Sequence, residues 1–230
     1  MPAKNVIKTY FADGFYHVYN RGVEKKRIFL DKQDHVVFLA FLKRYLTPPP
    51  EDPTKTLEPN FYKSLHDEIE LLAYCLMPNH FHLLLKQTET TSMARFLQRV
   101  STSYSIYFNR KYERVGPLFQ GPYKAAVIDN ENYFLHLSRY IHLNPFEILK
   151  ASPYKGEALV NLLNYEWSSY ADYLGKRHTE WVKTEMILSY FADAKKKISD
   201  PRLKGINTYQ AFVESYKEDS KDILQNLALD

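Results

Sequence analysis

From Ile69 to Leu85 the chain is predominantly apolar, and Pro78-Asn79 divides the run in two. A connection that short between two β-forming stretches predicts an antiparallel pair, with strands from Ile69 to Met77 and from His80 to Lys86. The second strand opens on His80-Phe81-His82. Side chains alternate along a strand, so His80 and His82 share one face while Phe81 takes the other. Two imidazoles aimed together from apolar surroundings call for a shared partner, and a divalent metal is the most economical one. A bare H-x-H is also compatible with one histidine hydrogen-bonded in the core and the other at a strand end. The rest of the chain has to decide.

The flanking segments supply the remaining elements. Phe15-Tyr16-His17-Val18-Tyr19-Asn20 alternates and is rich in β-formers, which predicts a strand ending at Arg21-Gly22. Asp31 can cap a helix over 32–45, with Val36, Phe38, Leu39, Leu42 and Leu46 as its apolar stripe. From Thr91 or Ser92 a long helix runs to Tyr112, burying Met93, Phe96, Leu97, Val100, Tyr104 and Tyr107. A strand follows over 123–128, then a helix from Glu131 to Leu143, capped by Asp129 or Asn130 and stopped by Pro145.

The resulting order, β-α-β-β-α-β and then a helix, is an α+β, ferredoxin-like split βαβ arrangement with an antiparallel sheet and one added helix. The proline-rich stretch 48–60 reads as a surface insertion, because core strand follows it. Residues 1–150 form the expected catalytic domain, and 151–230 a mostly helical C-terminal extension.

The formal net charge of +4 says little, but its distribution is uneven. Residues 1–47 hold nine Lys/Arg against four Asp/Glu, and 91–150 hold eight against four. The intervening 48–90 hold three against seven, and 151–230 hold eleven against twelve. The basic excess therefore flanks the histidine strand, as expected if these segments face a polyanion, although solvated helix faces would give the same excess. A single cysteine, Cys75, excludes an intrachain disulfide framework and fits a reducing, cytoplasmic setting. No membrane-spanning run or signal sequence is expected.

The helix before Pro145 carries Tyr140 and Asn144, four residues apart and so on one face. Packed beside the histidine strand, it would bring a phenol hydroxyl and an amide oxygen to His80 and His82. That offers a covalent nucleophile and a third metal ligand. A phenol attacks a phosphodiester at neutral pH once a metal polarises the phosphate.

At these residues the chain resembles the single-tyrosine HUH transposases of the IS200-like group, and specifically their REP-associated tyrosine transposase branch. The resemblance spans residues 14–175. It rests on Tyr16-His17-Val18-Tyr19-Asn20-Arg21-Gly22, Met77-Pro78-Asn79-His80-Phe81-His82-Leu83-Leu84, Gly116-Pro117-Leu118-Phe119-Gln120-Gly121-Pro122-Tyr123-Lys124, Arg139-Tyr140-Ile141-His142-Leu143-Asn144-Pro145 and Trp167-Ser168-Ser169-Tyr170. It implies metal ligation by His80 and His82, attack by Tyr140, and a 5′-phosphotyrosine intermediate on single-stranded DNA. Asn144 stands where relatives place an amide ligand, often glutamine.

The expected activity is metal-dependent cleavage and rejoining of single-stranded or hairpin DNA, with Mg²⁺ or Mn²⁺ as cofactor and a monomer or homodimer as the working unit. Arg21, Arg95, Arg99, Phe119, Gln120, Tyr123, Lys124 and Arg139 are the expected DNA contacts. Two other readings stand beside it: a silent hairpin- or strand-binding protein on the same fold, and a nuclease in which the histidines activate water.

Overall fold

A computed structural model describes residues 10–49, 63–150, 162–192 and 206–215, with the side chains of 147–150 left aside. Strand β1 spans Phe15–Arg21, helix α1 Lys32–Leu46, β2 Ile69–Met77, β3 His80–Gln87, α2 Ser92–Lys111, β4 Lys124–Ile128 and α3 Glu131–Lys150. Three short helices follow: α4 at Tyr170–Tyr173, α5 at Glu185–Ala192 and α6 at Tyr209–Glu214. The four strands form one sheet in the order β2-β3-β1-β4, antiparallel at every pairing. This is the ferredoxin-like arrangement expected from the element order. The proline-rich stretch 48–60 falls almost entirely outside the described residues.

Local chemistry explains the boundaries. Asp31 caps α1 by accepting from the Asp34 amide at 3.0 Å, and Asp34 returns a bond from the Asp31 amide at 3.2 Å. The β2–β3 turn is held from outside. The carbonyl of Pro78 accepts from the Ile28 and Phe29 amides at 2.9 and 3.1 Å, and the carbonyl of Asn79 accepts from Gly22 at 2.9 Å. Gly22 is required by that close approach: a Cβ there would stand 2.2 Å from the Lys26 carbonyl oxygen.

Alternation along the strands divides the core. Tyr16, Val18, Phe81, Leu83 and Leu85 face α1 and α2, where they pack with Phe38, Leu42, Phe96 and Val100. Leu72, Ala73, Cys75, Leu84, Ala126 and Ile128 face α3 and pack with Leu135, Ile141 and the C-terminal helices. The free edge of β2 is covered: Ser169 exchanges backbone and hydroxyl bonds with Tyr74, and Lys183 donates to Leu71.

Three details differ from the sequence expectations. Val36 lies on the outer side of α1, 49% exposed, and Tyr107 is half-buried with its hydroxyl on Asp34. Helix α3 does not stop at Pro145 but carries it inside the helix. Burial of Ile141, His142, Leu143 and Pro145 holds the helix together across the missing amide. Among the described residues no helix is long and apolar enough to cross a membrane.

Candidate active site

On the α3 side of the sheet, the β1–β3 register sets Tyr19 opposite His82 and Arg21 opposite His80. Lys124 of β4 lies opposite Tyr19 on the other flank. Helix α3 lays Tyr140 over this corner. Its ring stands edge-on to His82 at 5.5 Å between centroids and to His17 at 6.1 Å. The helix is fixed from behind by His142, whose nitrogens meet Tyr209 Oη at 2.7 Å and Ser169 Oγ at 2.8 Å. Tyr209 in turn donates to Ser138 at 3.0 Å. The C-terminal segment thereby holds the helix that carries Tyr140.

The two histidines are each tied by Nδ1. His80 Nδ1 meets Asn79 Oδ1 at 2.7 Å, and Asn79 is anchored by its amide on the Lys25 carbonyl at 3.1 Å. His82 Nδ1 meets His17 Nε2 at 2.8 Å. His82 Nε2 is buried without a hydrogen-bond partner. Asn144 donates its amide nitrogen to the Tyr140 carbonyl at 2.9 Å, which leaves Oδ1 as its remaining acceptor. The Asn144 side chain lies beside both histidines and favours their protonated forms, although no bond of good geometry reaches His82 Nε2.

Burial keeps all three imidazoles neutral. It lowers His80 to about 4, where Asn144 works against the shift and Arg21 adds to it. It takes His82 well below the ordinary imidazole value, reinforced by His80 and His17, and His17 down to about 3. Neutral imidazole is the form that offers a lone pair to a metal.

The donor set fits a divalent ion on these observations: an orphaned buried Nε2, a second imidazole held by its other nitrogen, and an amide oxygen one helical turn from Tyr140. Among the described residues no group of three or more His, Cys, Asp or Glu gathers to hold a metal, so such a site depends on the amide.

The structure brings together His80, His82, Tyr140 and Asn144, with Arg21 and Lys124 at the rim. Lys124 Nζ stands 5.7 Å from the Tyr19 ring centroid. Gln120 is exposed beside Arg21, accepting from its Nε at 3.4 Å. Tyr123 bonds its hydroxyl to that of Tyr10 and packs against the other core cluster.

Five expected DNA contacts, Tyr123 among them, are not brought here. Arg95, on α2 across the sheet, pairs with Glu68 in the turn before β2. Arg99 donates to the Lys63 carbonyl at 2.6 Å. Phe119 is buried against Phe81. Arg139 is 3% exposed, stacked on Phe212 at 4.5 Å and bonded to His136, because α6 covers that side of α3. His17 and Asn79 were missed by sequence reasoning. His17 shares the β1 alternation with Tyr19 and Arg21, and that signal could have placed it on the histidine face.

Comparison with known proteins adds sequence evidence. Residues 53–144 match the family described as Transposase IS200 like, a span that contains His80, His82, Tyr140 and Asn144. No curated protein matches the chain. Among solved structures, a REP-associated tyrosine transposase bound to a REP hairpin is similar in fold, with a TM-score of 0.50 at 11% identity, over 77% of this chain and 95% of that one. A candidate transposase from Deinococcus radiodurans R1 aligns at a TM-score of 0.36 and 16% identity, over 61% of this chain and 95% of that one.

Proposed function

We propose that this chain, an IS200-like transposase over residues 53–144, is a single-stranded DNA strand transferase working through a 5′-phosphotyrosine on Tyr140. The observation that carries the reading is the position of Tyr140: half-buried, edge-on to His82 at 5.5 Å, one turn before an amide whose nitrogen is already anchored.

Tyr140 Oη forms the new bond to phosphorus as the P–O3′ bond breaks. The phenol proton passes through solvent to the departing 3′ oxygen. A second 3′-hydroxyl reverses the step, so rejoining needs no nucleotide triphosphate. His80, His82 and Asn144 would hold Mg²⁺ or Mn²⁺, which supplies charge neutralisation at the scissile phosphate. Arg21 and Lys124, on either side of the histidine–tyrosine corner, position neighbouring phosphates. The buried rings of His17 and Tyr19 close the sheet side of the site beneath the reacting atoms.

Hairpin DNA is the proposed substrate, supported by the REP hairpin in the similar structure and by Arg21 and Lys124 flanking the histidine–tyrosine corner. The test is incubation of labelled single-stranded hairpin oligonucleotides with the protein and Mn²⁺, resolved on a denaturing gel. A labelled protein band that disappears in Tyr140→Phe supports the reading. Cleavage that persists in the Phe variant with no protein-linked label moves the protein to the water-activating nucleases.

A further inference from the structure

We propose that His17 is a positioning residue: it accepts the His82 Nδ1 proton and so turns the His82 Nε2 lone pair toward Tyr140 and Asn144. The inference rests on the metal-centred reading above and deepens it. His17 and His82 are both fully buried, and their rings lie nearly parallel, 5.1 Å between centroids. Among the described residues their only hydrogen bond of good geometry is to each other, His17 Nε2 to His82 Nδ1 at 2.8 Å.

A neutral imidazole carries one N–H and one lone pair. If His17 Nε2 donates, His82 bears its proton on Nε2 and cannot ligate through it. If His82 Nδ1 donates, its Nε2 lone pair faces the corner where Tyr140 and Asn144 converge. The neighbouring ligand shows the second arrangement imposed by chemistry. His80 Nδ1 faces Asn79 Oδ1, an oxygen that only accepts, so the proton of neutral His80 sits on Nδ1. His17 gives His82 the same treatment through a ring nitrogen instead of an amide oxygen. Metal-bound histidines are commonly fixed by such an outer partner, and its loss typically weakens affinity about 10–100-fold.

The β1 alternation explains why His17 can serve. It lies on the same face as Tyr19 and opposite Leu84, diagonal to His82 across the β1–β3 pair. An aliphatic residue there would pack equally well but leave His82 Nδ1 buried with nothing to accept its proton.

The experiment compares Mn²⁺ affinity by calorimetry in the full chain, in His17→Leu, His17→Gln and His80→Ala. It also reads the ¹⁵N shifts of His82 in the Mg²⁺-loaded wild-type protein. The expected result is about 10–100-fold weaker binding in His17→Leu, affinity near wild type in His17→Gln (which keeps an acceptor), and His82 protonated on Nδ1. A folded His17→Leu that binds Mn²⁺ as tightly as wild type overturns the inference alone, provided His80→Ala binds more weakly. If His17→Leu does not fold, protonation of loaded His82 on Nε2 overturns it instead. Wild type binding no tighter than His80→Ala removes the metal reading, and this inference with it.

Discussion

Toward α1 and α2 the central strands present Tyr16, Val18, Phe81, Leu83 and Leu85, each at most 1% exposed and enclosed by apolar side chains. Toward α3 the intervening residues of the same strands include His17, Tyr19 and His82, equally buried, with Arg21 and His80 at the rim. The depth of burial is alike, but the energetics are opposed. Dispersion and water exclusion stabilise the first face, on the order of 1.5–3 kcal/mol for each large side chain. On the second, His17 Nδ1 and His82 Nε2 remain without partners, a cost that persists only when the surrounding structure over-determines it. The two faces of these strands thus differ in chemistry and not in burial: one is apolar throughout, and the other sets buried imidazoles beside a second apolar core.

Adjacent residues on one strand give the sharpest way to break that contrast. Leu83→Ala should cost about 2–5 kcal/mol of stability by leaving a cavity, while the folded fraction still forms the covalent DNA adduct. His82→Ala should abolish the adduct yet bind hairpin DNA normally. Chemical denaturation and adduct yield, measured on both variants, check the division; a silent but fully stable Leu83→Ala would erase it.

Asn144→Ala should weaken Mn²⁺ binding roughly tenfold, equivalent to about 1.4 kcal/mol, with cleavage recovered at high Mn²⁺. If only the melting temperature falls and the metal dependence stays unchanged, Asn144 is a helix residue and no more.

Acid should act on the α3 face through its buried histidines. His17 and His142 are pushed to about 3, and His80 to about 4, all by burial. The unfolded chain takes up these protons near its ordinary imidazole value of about 6.5, but the folded chain does not. Their stabilising contribution is therefore complete above pH 6.5 and lost as pH falls from there toward 4 for His80 and toward 3 for His17 and His142. Urea midpoints at several pH values should decline across that window, and a flat profile would remove the buried-neutral assignment.

The smallest expected effect separates cations on the two faces. Arg21→Ala and Lys124→Ala should each lower the salt dependence of DNA binding by about one unit of slope. Arg95→Ala and Arg99→Ala should leave it unchanged, since both are engaged across the sheet.

Periodicity made the strands and the first two helices legible, and the i,i+4 spacing of Tyr140 and Asn144 put both on one face of α3. Long-range contacts were not legible. Arg139 reads as an exposed cation until α6, more than 60 residues later, covers it. Phe119 reads as a stacking platform until its bridge to Gly22 turns it into the core. The partner of His17 lies 65 residues away, a distance at which no local pattern operates. Pro145 carried its ordinary meaning as a helix breaker, and tertiary burial of α3 overrode it.

The central claim, that the α3 face does its chemistry through Tyr140, is tested most directly by mapping the covalent junction. The protein is reacted with a hairpin oligonucleotide and Mn²⁺, digested, and sequenced by tandem mass spectrometry. The account predicts a nucleotide linked to the hydroxyl of Tyr140. Attachment at Tyr133, which lies on the same helix two turns earlier, or at any other residue, would contradict it.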